Sequence, residues 1–392
     1  MVIAVSEPNV GQREYKNLAH CIDSGWVSAK GSFVTEFEKR VAESMGSTAA
    51  GFATCSGTTA LHLSLHCVGV KSGDLVICPG FSFIATANAI AHAGATPWFF
   101  DIDSSNWCLD VEKLEAALEQ ELVKDTSGVW VRKDCGRPLS AIMPVYTLGN
   151  TPDLQKILNL ARKYDLKIVA DAACAVGSTH LGEKLARYAD LSCLSFNGNK
   201  LVTTGCGGMI VGGRSDNEEK QPIELARHVG ETARVLPGYD HDRVGYNYRM
   251  SNIEAAVGCA QLDRLDEFLE RKQQIRDFYK KVLEDLDGMN PFPDINENDS
   301  CNWLSGVVIE NSSEMEIEDI KSLFRGASVQ LMPFWKPLHL QPPFVEAPCQ
   351  DLSVTEQLWT QIFALPCSTG ITDEQLKIVA DLLRSFSGTR SK

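Results

Sequence analysis

The chain has 392 residues, of which 44% are hydrophobic and 22% are charged. These proportions are close to those of soluble globular proteins and disfavour collagen-like, coiled-coil and disordered classes. Lysine and arginine number 37 against 51 aspartates and glutamates, which gives a net charge of −14. Because nucleic acids and anionic membranes attract positive charge, this composition argues against both as general partners.

The length predicts two or three structural units of roughly 150 residues each. No uncharged apolar run of about 18 residues is present, so no transmembrane helix is predicted, and the first residues lack the basic region of a signal peptide. The 13 cysteines are dispersed without a Cys-x-x-Cys spacing, so we expect no metal site. Scattered thiols are typical of a reducing compartment, and we expect a bacterial-type cytoplasm.

Short apolar runs alternate with amphipathic segments through the first two thirds of the chain. Each run ends at turn residues, as do strands that are buried on both faces of a sheet. Helical spacing at 111–122 and 154–161, between these runs, predicts a mostly parallel α/β sheet covered by helices. In such sheets, ligands bind at the carboxyl ends of the strands. We predict strands over 75–78, 95–100, 141–146, 167–170, 191–195 and 208–211.

A second, smaller unit is predicted after a long helix that begins near Ser251. Apolar residues recur at three- and four-residue steps from 253 to 282, with charged residues between them. We therefore predict two domains. Residues 1–250 form a large domain that includes an N-terminal arm, and residues 251–392 form a linker helix and a small C-terminal α/β domain. The polar stretch 294–300 is predicted to be a surface loop.

Three features near strand ends carry candidate chemistry. The small-residue turn at 55–61 runs into an apolar helix whose first amides could bind phosphate, although Ser and Gly are also ordinary helix caps. Asp171 follows a buried strand, where a carboxylate needs a cationic partner or caps the next helix. Lys200 precedes a glycine-rich return, and a dry pocket there would make its amine nucleophilic. Pyridoxal phosphate needs a covalently attached lysine, a carboxylate and a phosphate site, so the combination points to this cofactor.

Six short motifs occur in a fixed order along the chain. They are Ser-Gly-Thr-Thr-Ala-Leu at 56–61, Phe-Ser-Phe-Ile-Ala-Thr-Ala-Asn at 81–88, Gly-Ala-Thr-Pro at 94–97, Asp-Ala-Ala at 171–173, Ser-Phe-x-x-x-Lys at 195–200 and Gly-Tyr-Asn-Tyr-Arg-Met-Ser at 245–251. This order resembles the pyridoxal-phosphate-dependent nucleotide-sugar aminotransferases of the DegT/StrS group over nearly the whole chain. The resemblance implies fold type I of the pyridoxal-phosphate enzymes, which has a seven-stranded sheet. It also implies a homodimer with shared active sites and L-glutamate as the amino donor.

The resemblance also implies a role for each matching residue. Lys200 would attach the cofactor covalently and move the proton, Asp171 would keep the pyridine nitrogen protonated, and Phe83 would stack on the ring. Cys174 stands where the family usually has Gln, His or Glu near the phenolic oxygen, and a thiol is a weaker hydrogen-bond donor. The phosphate would be held by Gly57, Thr58, Ser195 and, from the second subunit, Asn247.

The segments 195–200, 302–305 and 334–341 are similar to the members that aminate UDP-linked 4-keto-6-deoxy-N-acetylhexosamines in surface-sugar biosynthesis. By this likeness, the candidate contacts to the nucleotide sugar are Trp335, Lys336 and His339. Trp335 and Trp303 could equally be core residues of the small domain, and the other two could be solvated. Met332 stands where that branch tends to have an arginine, so a bidentate anion contact is lost. The sequence therefore determines the chemistry better than it determines the substrate.

The sequence thus predicts transfer of an amino group from L-glutamate to the 4-keto carbon of a UDP-type nucleotide ketosugar. Two alternatives stay open, a pyridoxal-phosphate-dependent ketosugar dehydratase and a non-catalytic regulator that binds the cofactor. Those dehydratases carry His in place of the lysine, so Lys200 argues against the first, and the lack of a basic patch or extra domain argues against the second. His62 and His66 share a helix face without a third ligand nearby, and we interpret them as packing residues.

Overall fold

The computed structural model describes residues 2–49, 51–213, 222–293 and 299–390. Its α-helices are α1 (Gln12–Ser24), α2 (Ser32–Met45), α3 (Gly57–Cys67), α4 (Ala85–His92), α5 (Val111–Glu121), α6 (Leu154–Tyr164), α7 (Pro222–Gly230), α8 (Asn252–Leu262), α9 (Leu265–Leu283), α10 (Glu314–Gly326), α11 (Ser353–Trp359) and α12 (Asp373–Arg390). Short 3-10 helices cover Thr147–Gly149, Leu185–Tyr188, Leu338–Leu340 and Pro342–Phe344. Within the ranges given, no helix is both long and apolar enough to cross a membrane.

The main sheet has seven strands, and its carboxyl ends position the candidate site. The strands are β1 (Phe52–Thr54), β2 (Leu75–Pro79), β3 (Thr96–Phe100), β4 (Leu139–Ile142), β5 (Lys167–Asp171), β6 (Leu191–Ser195) and β7 (Gly208–Gly212). Their spatial order is β1-β7-β6-β5-β4-β2-β3. Strand β7 runs antiparallel to both of its neighbours, whereas the other neighbouring pairs are parallel. The prediction of a mostly parallel sheet is confirmed.

Helices cover both faces of this sheet, because successive side chains of a strand point to opposite sides. In β2, Leu75 and Ile77 pack in one cluster with α2, α5, α6 and α8. Val76 and Cys78 pack in another cluster with α3, α4 and α7. The continuous apolar runs of the sequence therefore supply two separate cores, one on each face.

A four-stranded antiparallel sheet forms a second unit. Its strands are β8 (Met289–Pro291), β9 (Gly306–Ile309), β10 (Met332–Pro333) and β11 (Ile362–Ala364), in the spatial order β8-β9-β11-β10. Their buried residues form a third cluster with α9, α10 and α12. Small hairpins pair Leu122–Lys124 with Trp130–Arg132, Thr179–His180 with Glu183–Lys184, and Arg234–Val235 with Asp240–His241. The beginning of the chain joins this second unit, since Ile3 forms a bridge with Val329.

The long helix predicted from Ser251 is interrupted, because α8 ends before Asp263 and α9 begins after Arg264. The start is as predicted, and the Ser251 hydroxyl accepts a hydrogen bond from the amide of Glu254 at 3.3 Å. Helix α8 packs against α1 and α2, whereas α9 belongs to the cluster of the second unit. Because the two helices pack into different cores, the chain changes direction between them. At this break, Arg264 donates a hydrogen bond to the carbonyl of Asn9 at 3.3 Å. The domain division at 250/251 stays a prediction.

Two strands also differ from the sequence pattern. Strand β4 ends at Ile142 rather than 146, because Pro144 has no N–H to donate to the ladder, and Val145 forms only an isolated bridge with Asp171. The pattern did not indicate β1, which has three residues. Most of the loop predicted over 294–300 lies outside the described residues. The carboxylate of Asp299 accepts hydrogen bonds from two main-chain amides of the 179–184 hairpin.

Candidate active site

A cleft of about 490 Å³ lies at the carboxyl ends of β5 and β6, against the second unit. The parallel sheet brings distant parts of the chain to this one edge. Eight residues that the sequence marked as site candidates line the cleft. They are Gly57, Thr58, Phe83, Asp171, Cys174, Ser195, Lys200 and Trp335.

Asp171 is the last residue of β5 and is only 5% exposed. Its Oδ2 accepts a hydrogen bond from the Thr86 hydroxyl at 2.7 Å, and its Oδ1 accepts one from the Ala173 amide at 3.2 Å. Burial raises the pKa of this carboxyl, while the two hydrogen bonds and the amine of Lys200 oppose the shift. A cation bound beside Asp171 would keep it ionised. The sequence did not single out Thr86 as a site residue, although Thr86 lies within the motif at 81–88.

Lys200 lies in the turn between β6 and β7 and is half-buried. Its Nζ is 3.2 Å from the Sγ of Cys174 and 3.9 Å from the ring centroid of Trp303. Burial raises the pKa of Cys174 to about 11, so this side chain is a neutral thiol near pH 7. Trp303 lines the cleft and is 4% exposed. The sequence left open whether it was a core residue, and gave no signal that it touches Lys200.

The first turn of α3 also lines the cleft. Ser56 caps the helix, since its hydroxyl accepts a hydrogen bond from the Thr59 amide at 3.1 Å. The amides of Gly57 and Thr58 precede the first intrahelical hydrogen bonds, so they are available to an anion. Gly57 has little room for a side chain, because a Cβ there would lie 3.0 Å from the Cβ of Ser195. This close approach of helix and strand end, in the cleft that Asp171 and Lys200 also line, fits a phosphorylated pyridine ring.

Aromatic and apolar side chains supply the remaining wall of the cleft. Phe83 lines it and is 58% exposed. Trp335 stacks on Trp303 with ring centroids 6.2 Å apart and an angle of 25° between the planes. Met332 lies in the same wall, so the side chain that replaces the branch's usual arginine is near the place where a ligand would bind.

Three other predicted site residues do not line this cleft. Asn247 is exposed, and its predicted role is in the cleft of a second subunit. Lys336 is exposed as well. His339 is paired through Nε2 with Glu356 at 2.9 Å, while its Nδ1 is buried without a hydrogen-bond partner among the described residues. Their contacts to a nucleotide sugar stay predictions.

Of the two histidines of α3, His62 is buried, as a packing residue should be, whereas His66 is exposed. The rings of His62 and His66 lie 5.1 and 5.8 Å from the ring of Tyr246. Across the described ranges, no group of three His, Cys, Asp or Glu side chains is arranged to hold a metal ion.

Comparison with known proteins shows the family. The model of the DegT/DnrJ/EryC1/StrS aminotransferase family matches residues 8–384. The chain belongs to this family. A crystal structure of a member from Brucella abortus matches 96% of this chain and 95% of its own, with a TM-score of 0.85 and 26% identity.

Curated relatives match this aminotransferase from end to end. EpsN of Bacillus subtilis (strain 168), provisionally named as a pyridoxal phosphate-dependent aminotransferase, is 35% identical over 98% of this chain and 96% of its own. GDP-perosamine synthase of Escherichia coli O157:H7 is 32% identical over 98% of both chains. The UDP-4-amino-4,6-dideoxy-N-acetyl-beta-L-altrosamine transaminase of Campylobacter jejuni serotype O:2 is 30% identical over 98% and 97%. The protein is a pyridoxal-phosphate-dependent sugar aminotransferase of fold type I, which confirms the predicted family, fold and cofactor.

Proposed function

We propose that this enzyme moves the amino group of L-glutamate to the 4-keto carbon of a UDP-linked 4-keto-6-deoxy-N-acetylhexosamine. The observation that carries the proposal is the single cleft that contains Lys200, Asp171 and the first turn of α3. Two of the relatives described above are named for UDP-linked and GDP-linked amino sugars, which supports a nucleotide-linked substrate. The likeness of the segments 302–305 and 334–341 to the UDP-sugar branch favours UDP.

Pyridoxal phosphate, when bound, supplies an electron sink that makes the substrate's C–H bond acidic. Asp171 binds the protonated pyridine nitrogen, and its burial strengthens that ion pair because water does not screen it. Thr86 fixes the carboxylate through its hydroxyl. Gly57, Thr58 and Ser195 bind the phosphate, and Phe83 packs against the ring.

Lys200 is the acid–base group of the proposed reaction. Its amine would hold the cofactor covalently and, when released, would take a proton from the reacting carbon of glutamate and, in the second half of the cycle, would deliver a proton to the sugar carbon that receives the amino group. Cys174 lies beside that amine at 3.2 Å. As a neutral thiol it gives only a weak hydrogen bond to the amine or to the cofactor's phenolic oxygen.

We further propose that two chains form a homodimer in which Asn247 of each subunit binds the phosphate in the other. Asn247 is exposed between Tyr246 and Tyr248, whose rings stack on each other 4.8 Å apart. Its amide is therefore available to a second chain. A cytoplasmic location fits the 13 cysteines, all of which are free thiols.

For the nucleotide sugar, we propose Trp335 as a contact inside the cleft. Lys336 and His339, which follow it along the chain, are proposed to contact the nucleotide outside the cleft. Met332 is apolar, so it contributes packing where an arginine would bind an anion. The preference for one nucleotide sugar over another within the branch therefore depends on Met332 and Trp335, which line the cleft.

Half of the reaction tests the chemistry without the sugar. The holoenzyme mixed with L-glutamate alone should release 2-oxoglutarate and change its visible absorbance. Lys200→Ala should release no 2-oxoglutarate, because it lacks the amine that moves the proton. Lys321→Ala, which changes a partly exposed lysine of α10 that pairs with Glu318, is the control and should behave as the wild type.

A panel of UDP-, GDP- and TDP-linked 4-ketosugars then tests the substrate. We expect glutamate-dependent amination of a UDP-linked N-acetylated sugar, with the position and stereochemistry of the new amine established by NMR. Full turnover by Lys200→Ala would contradict the mechanism. Amination of a GDP-linked sugar alone would contradict the proposed substrate.

A further inference from the structure

The amine of Lys200 has an aromatic neighbour from the other core of the protein. Its Nζ lies 3.9 Å from the ring centroid of Trp303, which belongs to the cluster of the second unit. This distance is well inside the roughly 6 Å within which a cation is attracted to a tryptophan ring. The other group near the Nζ is the thiol of Cys174, which is a weak hydrogen-bond acceptor. Of these two contacts, the ring is therefore the stronger one for an ammonium group.

The ring of Trp303 is held from several directions. Its Nε1 donates to the carbonyl of Asn199 at 2.8 Å, so the ring is tied to the residue that precedes Lys200. Its amide donates to the carbonyl of Leu148 at 3.1 Å. Because the side chain is also 4% exposed, little freedom remains for the ring to turn away from the amine.

The carbonyl of Trp303 is bound by a buried cation. Lys272 on α9 is 2% exposed, and its Nζ donates to the carbonyls of Trp303 and Cys367 at 2.6 Å each. A buried ammonium group is costly unless its hydrogen bonds are satisfied. The arrangement therefore fixes the main chain at Trp303 against the end of the second sheet.

We propose that Trp303 is a positioning residue, which binds the ammonium group of Lys200 against its ring whenever that amine is not attached to the cofactor. Lys272 supports this position through the main chain. The inference rests on the proposed role of Lys200. The ring keeps a released amine at one place in the cleft, and its attraction acts on the ammonium form, which is the form that returns a proton to the substrate.

The test measures the protonation of Lys200 in the full-length apoprotein. Competitive acetylation with acetic anhydride over a pH series, followed by mass spectrometry of the Lys200 peptide, gives the pH at which half of the amine is unprotonated. The other titratable groups that act on this amine are Asp171, Cys174 and Cys301, and all of them stay unchanged in the variants. Trp303→Phe weakens the attraction of the ring, and Trp303→Leu removes it.

We expect the midpoint to fall from the wild type through Trp303→Phe to Trp303→Leu, with a total shift of roughly half to one pH unit. If Trp303 served only to exclude water, Leu would admit water and the midpoint would rise. A rise or an unchanged midpoint overturns the inference. Should Trp303→Leu fail to fold, Trp303→Phe decides alone, because Phe keeps an apolar ring in the same place.

Two further variants complete the test. Trp130→Leu removes a partly buried tryptophan of the first unit, which has Lys124 at 5.2 Å from its ring, and should leave the midpoint at Lys200 unchanged. Lys272→Met should lower the midpoint less than Trp303→Leu does, and a larger fall would contradict its supporting role. Covalent attachment of the cofactor to Lys200→Ala would refute the proposed function. An unchanged midpoint of Lys200 across the wild type, Trp303→Phe and Trp303→Leu would refute only the present inference.

Discussion

Asp171 and Lys200 reach the same cleft with different kinds of partner. The carboxylate of Asp171 accepts hydrogen bonds from a hydroxyl and an amide. The amine of Lys200 is beside a neutral thiol and an aromatic ring. Burial raises the pKa of Asp171, so the donors around it decide how much of the carboxylate is ionised at neutral pH.

Replacement of Thr86 by Val should therefore weaken cofactor binding. Loss of the 2.7 Å hydrogen bond raises the pKa of Asp171 further, and a protonated carboxyl no longer pairs with the pyridinium. We expect about tenfold weaker binding of pyridoxal phosphate near pH 7. Fluorescence titration of the apoprotein with the cofactor measures this change.

The matched control is Thr355→Val. Thr355 on α11 is fully buried, and its hydroxyl donates to the carboxylate of Asp101 at 2.8 Å, away from the cleft. This variant should lose stability while its affinity for the cofactor stays unchanged. Equal losses of affinity in both variants would show that Thr86 acts only through overall stability.

At the scale of elements, α3 packs against the segment that carries Asn247. The ring of His62 packs against Tyr246, and its Nδ1 lies 3.1 Å from the hydroxyl of Tyr248. Burial, together with the charges of His92 and His66, lowers the pKa of His62 to about 4. The folded protein therefore holds His62 neutral where an unfolded chain begins to protonate it.

This difference predicts a loss of stability as the pH falls. Between about 6.5, the ordinary pKa of His, and about 4, protons bind preferentially to the unfolded chain, so the free energy of unfolding decreases with decreasing pH. His62→Phe should lose about 1 kcal/mol less than the wild type between pH 7 and pH 5, after allowance for solvent screening. Urea unfolding at the two pH values measures it. His20→Phe, at an exposed position of α1, should keep the wild-type slope, and an identical slope in His62→Phe would contradict the prediction.

The sequence predicted part of the cleft because some of the residues that line it follow buried strands. The apolar runs before Asp171 and Ser195 end at one edge of a parallel sheet, so their order along the chain was sufficient to place them together. Thr86 and Trp303 could not be found in this way. Their contacts join a helix face or a different core to the sheet, and neither type of contact has a periodic signal.

The break between α8 and α9 was hidden for a related reason. Leu262 and Leu265 keep the three-residue step of the apolar pattern across the break. Each helix needs an apolar face, but the two faces serve different cores. Periodicity indicates that a face is buried and does not indicate against what it is buried.

At the scale of the whole molecule, the proposed homodimer makes a quantitative prediction. Lys200→Ala and Asn247→Ala should each have greatly reduced activity as separate proteins. If Asn247 acts in the other subunit's cleft, a dimer with one copy of each has one intact site and one site with both changes. Mixing equal amounts after dissociation and reassociation should restore about one quarter of the wild-type activity.

The control for this mixing experiment uses two variants of one cleft. Lys200→Ala mixed with Asp171→Asn should give no recovery, because both residues line the cleft of the same chain. Failure of the first mixture to recover, with dimers present by light scattering, would show that Asn247 does not act across the interface.

The beginning of the chain depends on residues that are synthesised much later. The amide of Ile3 donates to the carbonyl of Ser328 at 3.0 Å, and the amide of Cys367 donates to the carbonyl of Val5 at 2.9 Å. A ribosome needs on the order of tens of seconds to translate the intervening chain. The segment around Ile3 and Val5 can dock only after Ser328 and Cys367 have been translated, and until then proteases and chaperones have access to it.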